Sequence, residues 1–233
     1  MKAESQFYTK TAFVLNSVSV SKIWELFESA GLEVEATLEC ADGISRKVKL
    51  LSEIVGYDNA RRAQITVFRL TGYSYELKSF STVTMGGSHS TTVSFSLNGE
   101  AALVADMRIK LMDIIDGMKP WFDIIARFDF VGVVIALLTA VGVYYSLLGS
   151  NEPKAVVAPS QAFYATCLII GFFCALILLA WGFKKLRHKV FPLAVFEIGQ
   201  GIKREEVADK IRWSVIVALC VGVLGSFLFK PFA

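Results

Sequence analysis

The sequence predicts an α+β head with a mostly antiparallel sheet, joined by an amphipathic helix to a three-helix transmembrane bundle. Three observations carry this expectation. Hydrophobic residues make up 54% of the 233 and charged residues 19%, where a soluble domain averages about 45–50% and about 25%. The apolar excess is concentrated in uncharged runs at 130–148, 162–183 and 213–229, each near the roughly 20 residues a helix needs to cross hydrocarbon. Residues 5–100, by contrast, read as α+β, with apolar and polar positions alternating at 32–40 and 93–97, the period of half-buried strands. The same composition excludes a disordered chain, which is apolar-poor and charge-rich.

Residues 7–15 read as a strand. Residues 21–30 read as a short helix with Ile23, Leu26 and Phe27 on one face and Gly31 as its stop signal. Leu32, Val34, Ala36, Leu38 and Cys40 alternate with Glu33, Glu35, Thr37 and Glu39, as in a strand with one buried face. Ala41-Asp42-Gly43 turns this strand into 44–50 as a hairpin. Residues 63–71, 75–85 and 91–97 are further strands. Their connections are too short for helical crossovers, which predicts antiparallel pairing. Residues 101–118 form a long amphipathic helix. Asp106, Lys110, Asp113 and Asp116 recur on one side, and Leu103, Met107, Leu111, Ile114, Ile115 and Met118 fill the other. Pro120 ends it. This helix reads either as a helix packed on the sheet or as a rigid rod or oligomer seam. The expected domains are a cytoplasmic sensing head over 1–100, a connecting helix over 101–127 and a transmembrane region over 128–233.

Charge sets the expected orientation. Residues 1–127 hold 14 Lys+Arg and 15 Asp+Glu, and residues 128–233 hold 10 and 6, so the net +3 comes from the second half. Lys184, Lys185, Arg187, Lys189, Lys203, Arg204, Lys210 and Arg212 crowd the connection between the second and third runs, opposed by Glu197, Glu205, Glu206 and Asp209. The positive-inside rule then places this connection and the N terminus in the cytoplasm, with the C terminus outside the inner membrane. Trp121, Trp181 and Trp213 read as interface anchors on the inner side, and Asp123 and Asp129 as interfacial caps. The stretch 190–201 is too short to span and reads as lying in the interface or docking against the head. Its continuation FEIGQGIKR, 196–204, is distinctive but matches no motif. Residues 203–212 read as a charged helix running into the third run.

Candidate binding residues fall in the head. The glycine- and hydroxyl-rich loop containing Gly86, Gly87, Ser88 and His89 can offer backbone N–H groups to a phosphate. It matches neither the P-loop nor the dinucleotide spacing, and a plain hairpin turn is the other reading. Arg46, Lys47, Arg61 and Arg62 can pair with phosphates or simply form a solvated surface. His89 has no carboxylate or cysteine at ligand spacing, and Cys40, Cys167, Cys174 and Cys220 form no metal-like pair. No metal or other cofactor is expected. No catalytic motif appears, so the chain is expected not to be an enzyme. Small residues recur at a spacing of four in the apolar runs: Gly132, Ala136 and Ala140; Cys167, Gly171 and Ala175; Ser214, Ala218, Gly222 and Ser226. Such rows let helices approach closely, which predicts a homo-oligomer within a lipid bilayer.

By layout, a head followed by a few apolar runs, the chain resembles small bacterial membrane effectors of nucleotide-signalling antiphage defence. The resemblance implies a nucleotide or oligonucleotide ligand on the head and an oligomeric ion channel or membrane-perturbing pore gated by it. The alternative is a non-conducting, membrane-anchored scaffold whose head binds a partner protein, for instance by accepting a strand at a sheet edge.

Overall fold

The structure, a computed structural model, describes residues 1–87, 91–129 and 184–229, with scattered positions between 132 and 182. The chain divides into two compact units, Met1–Arg127 with Val190–Ala233, and Phe128–Lys189.

In chain order the first unit contains β1 (Lys2–Thr9), β2 (Phe13–Asn16), α1 (Ser17–Ser29), β3 (Glu33–Cys40), β4 (Ser45–Val48), α2 (Leu51–Val55), β5 (Ile65–Ser74), β6 (Ser79–Gly86), β7 (Val93–Glu100), α3 (Ala101–Gly117), α4 (Asp123–Arg127), β8 (Ala194–Glu197) and α5 (Gln200–Phe229). Six strands form one sheet in the order β1-β7-β6-β5-β3-β4, every neighbouring pair antiparallel. Strand alternation decides its two faces. Ala36, Leu38, Phe68, Leu70, Val83, Met85, Phe95 and Leu97 are buried in one continuous core, while Glu35, Arg69, Thr82, Thr84, Ser94 and Ser96 occupy intervening positions.

Two helices cover the apolar face. The Asn16 side chain caps α1, its Oδ1 accepting from the Ser19 N–H at 2.9 Å, and Val20, Ile23, Trp24, Leu26 and Phe27 are buried. Of the amphipathic 101–118 segment, α3 buries Val104, Met107, Leu111 and Ile115 and packs on β1, β7 and α1. Each such side chain contributes roughly 1.5–3 kcal/mol by leaving water. The expected helix therefore lies on the sheet.

The stretch 7–15 differs from expectation. It is two strands, because β1 ends at Thr9 and the chain passes through buried Thr11 and Ala12 into β2. There it leaves the main sheet and pairs in parallel with β8, Phe13 opposite Ala194 through Asn16 opposite Glu197. The 190–201 stretch is thus docked on the head. Val195, Phe196 and Ile198 are buried, and the Phe13 and Phe196 rings meet edge to face at 5.7 Å.

The transmembrane bundle is corrected. Among the described residues no helix is long and apolar enough to cross a membrane. The helix carrying the third run, α5, is 30 residues long, but its first half is charged and belongs to the head, and its apolar part begins only after Arg212. The runs 130–148 and 162–183 lie largely outside the described residues. The placement in the inner membrane, with the N terminus inside and the C terminus outside, falls with this finding, as do the labels of membrane protein, transmembrane helix and ion channel. In the second unit, Gly132, Ala136, Ala140 and Ala175 are exposed helical positions, and Gly171 lies outside the described residues. In α5, Ser214, Ala218 and Gly222 are exposed, and a Cβ added at Gly222 would meet nothing within 4 Å. The side chain of Ser226 is outside the described set.

Candidate functional site

The C-terminal part of the first unit is fastened to the head at two places, and the candidate site lies at the second. The first fastening uses the distinctive 196–204 stretch. Asn59 is 1% exposed in a left-handed conformation, φ 49°. Its side chain donates to the Phe196 and Ile198 carbonyls, both at 3.1 Å, and accepts from the Ile65 N–H at 2.8 Å. The Gln200 N–H bonds the Asp58 carbonyl at 2.8 Å, and Arg204 donates to the Asn59 carbonyl at 2.8 Å. Two glycines make this closeness possible. A Cβ at Gly199, φ 52°, would lie 2.4 Å from the carbonyl oxygens of Tyr57 and Asp58, and one at Gly201 would lie 2.1 Å from that of Phe196.

The second fastening is Arg212. It is 1% exposed, although α5 is otherwise charged and solvated over this stretch. Its Nε donates to the Val190 carbonyl at 2.6 Å. Its guanidinium pairs with Glu205, lies 3.8 Å from Asp209, and sits 4.2 Å from the Phe122 ring centroid. A buried guanidinium needs such partners, because an isolated buried charge is very costly. Phe122 is positioned by a tight turn after α3. The Asp123 N–H closes on the Pro120 carbonyl at 3.0 Å, and the Asp123 carboxylate accepts from the Ala12 N–H at 2.7 Å and pairs with Arg127 at 2.5 Å. Asp123 is therefore an internal pin, 7% exposed, rather than an interfacial cap. Asp129 does cap locally, accepting from the Gly132 N–H at 3.3 Å.

Between these groups lies a cavity of about 300 Å³. Its apolar wall is Val14 of β2 with Pro120, Trp121 and Phe122 of the turn, and its acidic wall is Glu197 of β8 with Glu205, Glu206 and Asp209 of α5. The Trp121 and Trp213 rings meet at 5.3 Å, inclined by 30°, and the Trp121 indole donates to Asp209 at 3.3 Å. Burial, and then the Glu205 carboxylate, push the Glu197 carboxyl above the usual range, with Arg212 opposing them. Aromatic faces beside carboxylates favour positively charged groups and repel phosphates. Among the described residues, no three His, Cys, Asp or Glu side chains are placed to hold a metal ion.

No family model, curated protein or solved structure matches the chain.

The sequence-derived binding residues lie on several elements. Arg46 and Lys47 lie on the edge strand β4, separated in the sheet by β3 and β5 from β6, where Gly86 sits. Arg46 is committed to Asp42 at 2.7 Å, a pairing that lowers the Asp42 carboxyl and raises the guanidinium. It also lies 5.8 Å from the Tyr57 ring centroid, and burial, followed by the Cys40 contact, pushes that phenol up to about 12. Lys47 pairs with Glu35 at 3.6 Å. Arg61 and Arg62 stand exposed on a single 3-10 turn. Gly86 and Gly87 both have positive φ, 93° and 82°, while Ser88 and His89 lie outside the described residues. Read along the chain, the carboxylates of the acidic wall look like counter-charges in a basic stretch. Glu205, Asp209 and Arg212, spaced four and three apart on one helix face, were its one local signal.

Proposed function

We propose that the chain is a non-catalytic binding protein whose α+β head takes a ligand at the acidic–aromatic cavity and couples its occupancy to α5. The observation that supports this most is Arg212. One buried guanidinium joins the turn after α3, through Phe122, to the 190 segment and to the carboxylates that line the cavity. Anything that reorganises those carboxylates acts on the same side chain that seats α5. The cavity's negative charge opposes a nucleotide there. Beyond Arg212, Val217, Ala218 and Val221 remain exposed on α5, a surface suited to association of copies of the chain.

Hydrogen exchange on the full chain, wild type against Arg212→Met, tests the coupling. Faster exchange is expected together in β2, residues 118–127 and the first half of α5. A change confined to the turns beside residue 212 would overturn the reading. A second reading, a scaffold that accepts a partner strand, has its own support: β1 is an eight-residue edge strand, and an open edge offers backbone groups for strand addition.

A further inference from the structure

We infer that β1 is a self-association edge, pairing antiparallel with β1 of a second copy of the chain about a twofold axis at Phe7, so that two sheets become one. The inference does not depend on the Arg212 coupling. It rests on the open edge of the second reading above and names its occupant. The two ends of the sheet are built differently. The β4 end is four residues long and carries Arg46 and Lys47, the short, charged form that discourages strand addition. The β1 end is eight residues long, contains no proline, pairs with β7 without a register break and is uncharged from Ser5 to Thr9. Its backbone is aimed for addition. The Met1 carbonyl accepts from the Ala101 N–H at 3.0 Å, and the Thr9 carbonyl from the Thr92 N–H at 2.9 Å. Odd residues therefore turn their backbone groups to β7, and Lys2, Glu4, Gln6 and Tyr8 turn theirs to the open edge.

The side chains select the occupant and the register. Two copies keep core face beside core face only when the axis passes through a residue, because a one-residue slip flips every side chain. An axis at Glu4 sets the two Glu4 carboxylates against each other, and an axis at Gln6 sets Lys2 against Lys10. An axis at Ser5 draws together the two Arg108 side chains, since Arg108 donates to the Ser5 hydroxyl. Axes at Ala3 or Tyr8 pair fewer residues. An axis at Phe7 sets Glu4 opposite the partner's Lys10 on both sides, with Ser5 opposite Thr9 and Gln6 opposite Tyr8. Its central pair, Phe7 with the partner's Phe7, is of the non-hydrogen-bonded kind, whose side chains come closest. Phe7 is half-buried and stacks on Phe95 at 5.1 Å, so this pair continues the core across the axis. The helix above agrees. Arg108 marks the side of α3 that overhangs β1, and its neighbours on that surface, Ala105, Ile109 and Met112, are uncharged, with Ile109 62% exposed.

Sedimentation equilibrium of the full chain tests this, and a dimer is expected. Glu4→Lys puts like charges opposite each other on both sides of the axis and is expected to weaken the dimer about tenfold. Glu4→Lys with Lys10→Glu restores opposite charges and is expected to return it. Gln6→Pro removes an outward N–H that makes no bond to β7, so it should leave the fold intact by circular dichroism and abolish the dimer. A folded wild-type chain that stays monomeric at every loading concentration would overturn self-pairing and leave the edge to a strand of another protein. A dimer that survives Gln6→Pro and falls instead with Val221→Lys would place association on α5 and overturn the assignment, as would failure of the charge swap to restore it. The Arg212→Met exchange comparison reads a different contact, so either result stands without the other.

Discussion

Arg212 shows how one side chain's cost depends on its company. Removing one member of a buried ion pair leaves the other uncompensated and costs roughly 3–5 kcal/mol, whereas replacing both by apolar residues is often neutral or favourable. Arg212→Met should therefore lower the urea midpoint sharply, and Arg212→Met with Glu205→Leu should restore most of it. A double variant no better than the single would mean that the Val190 and Phe122 contacts, rather than the charge pair, hold the residue. Asn59→Ala removes three buried hydrogen bonds, and a loss of about 3 kcal/mol is expected in the same measurement. Glu197 gives a pH signature. Its carboxyl titrates above the usual range because of burial and the Glu205, Asp209 and Glu206 carboxylates, against Arg212. The native state then holds the proton longer than the unfolded chain, so stability falls as pH rises from the ordinary carboxylate value through the raised one. Below the ordinary value both states are protonated and the effect vanishes. Glu197→Gln should flatten the stability profile above the ordinary carboxylate range and raise stability at neutral pH. An unchanged slope would remove Glu197 as its source.

The elements differ in how much of themselves they carry locally. Strand β3 was legible because Ala36, Leu38 and Cys40 alternate with charged or polar neighbours, and its hairpin with β4 because Asp42-Gly43 stands between two runs. Helix α3 was legible from its stripe. Its last residue, Gly117, has room for a side chain, since a Cβ there meets nothing within 4 Å. Gly117→Ala should raise the thermal midpoint, by a stabilisation of about 0.5–1 kcal/mol, through the reduced entropy of the unfolded chain. No gain would show that the helix frays before this residue. The division of 7–15 into β1 and β2 was not legible. Both pieces are strand-like locally, and what separates them is a partner, β8, that lies far away in sequence.

At the scale of the molecule, the head is closed by a segment that follows it only after the whole of 128–189. Phe196 meets Phe13 edge to face, and the surrounding backbone is hydrogen-bonded to Asp58 and Asn59. Phe196→Ala should therefore destabilise the head by roughly 3–5 kcal/mol, and calorimetry should show β2, β8 and the base of α5 unfolding with the main sheet in one transition. A separate low-temperature transition for the 190–212 segment would contradict this. The candidate site is legible only at this scale. Its aromatic floor, its strand carboxylate and its helix carboxylates come from three distant stretches, and charge read along the chain makes Glu197 and Asp209 look like ordinary neighbours of lysines.

The amino-acid order alone determined the antiparallel sheet and the helices α1 and α3, because alternation, helical periodicity and turn chemistry are short-range properties. Tertiary structure decided where Arg212 points, which strand β2 joins and which carboxylates share a cavity. Those are pairings between residues far apart in the chain, fixed by the burial and hydrogen bonding that only the assembled fold provides.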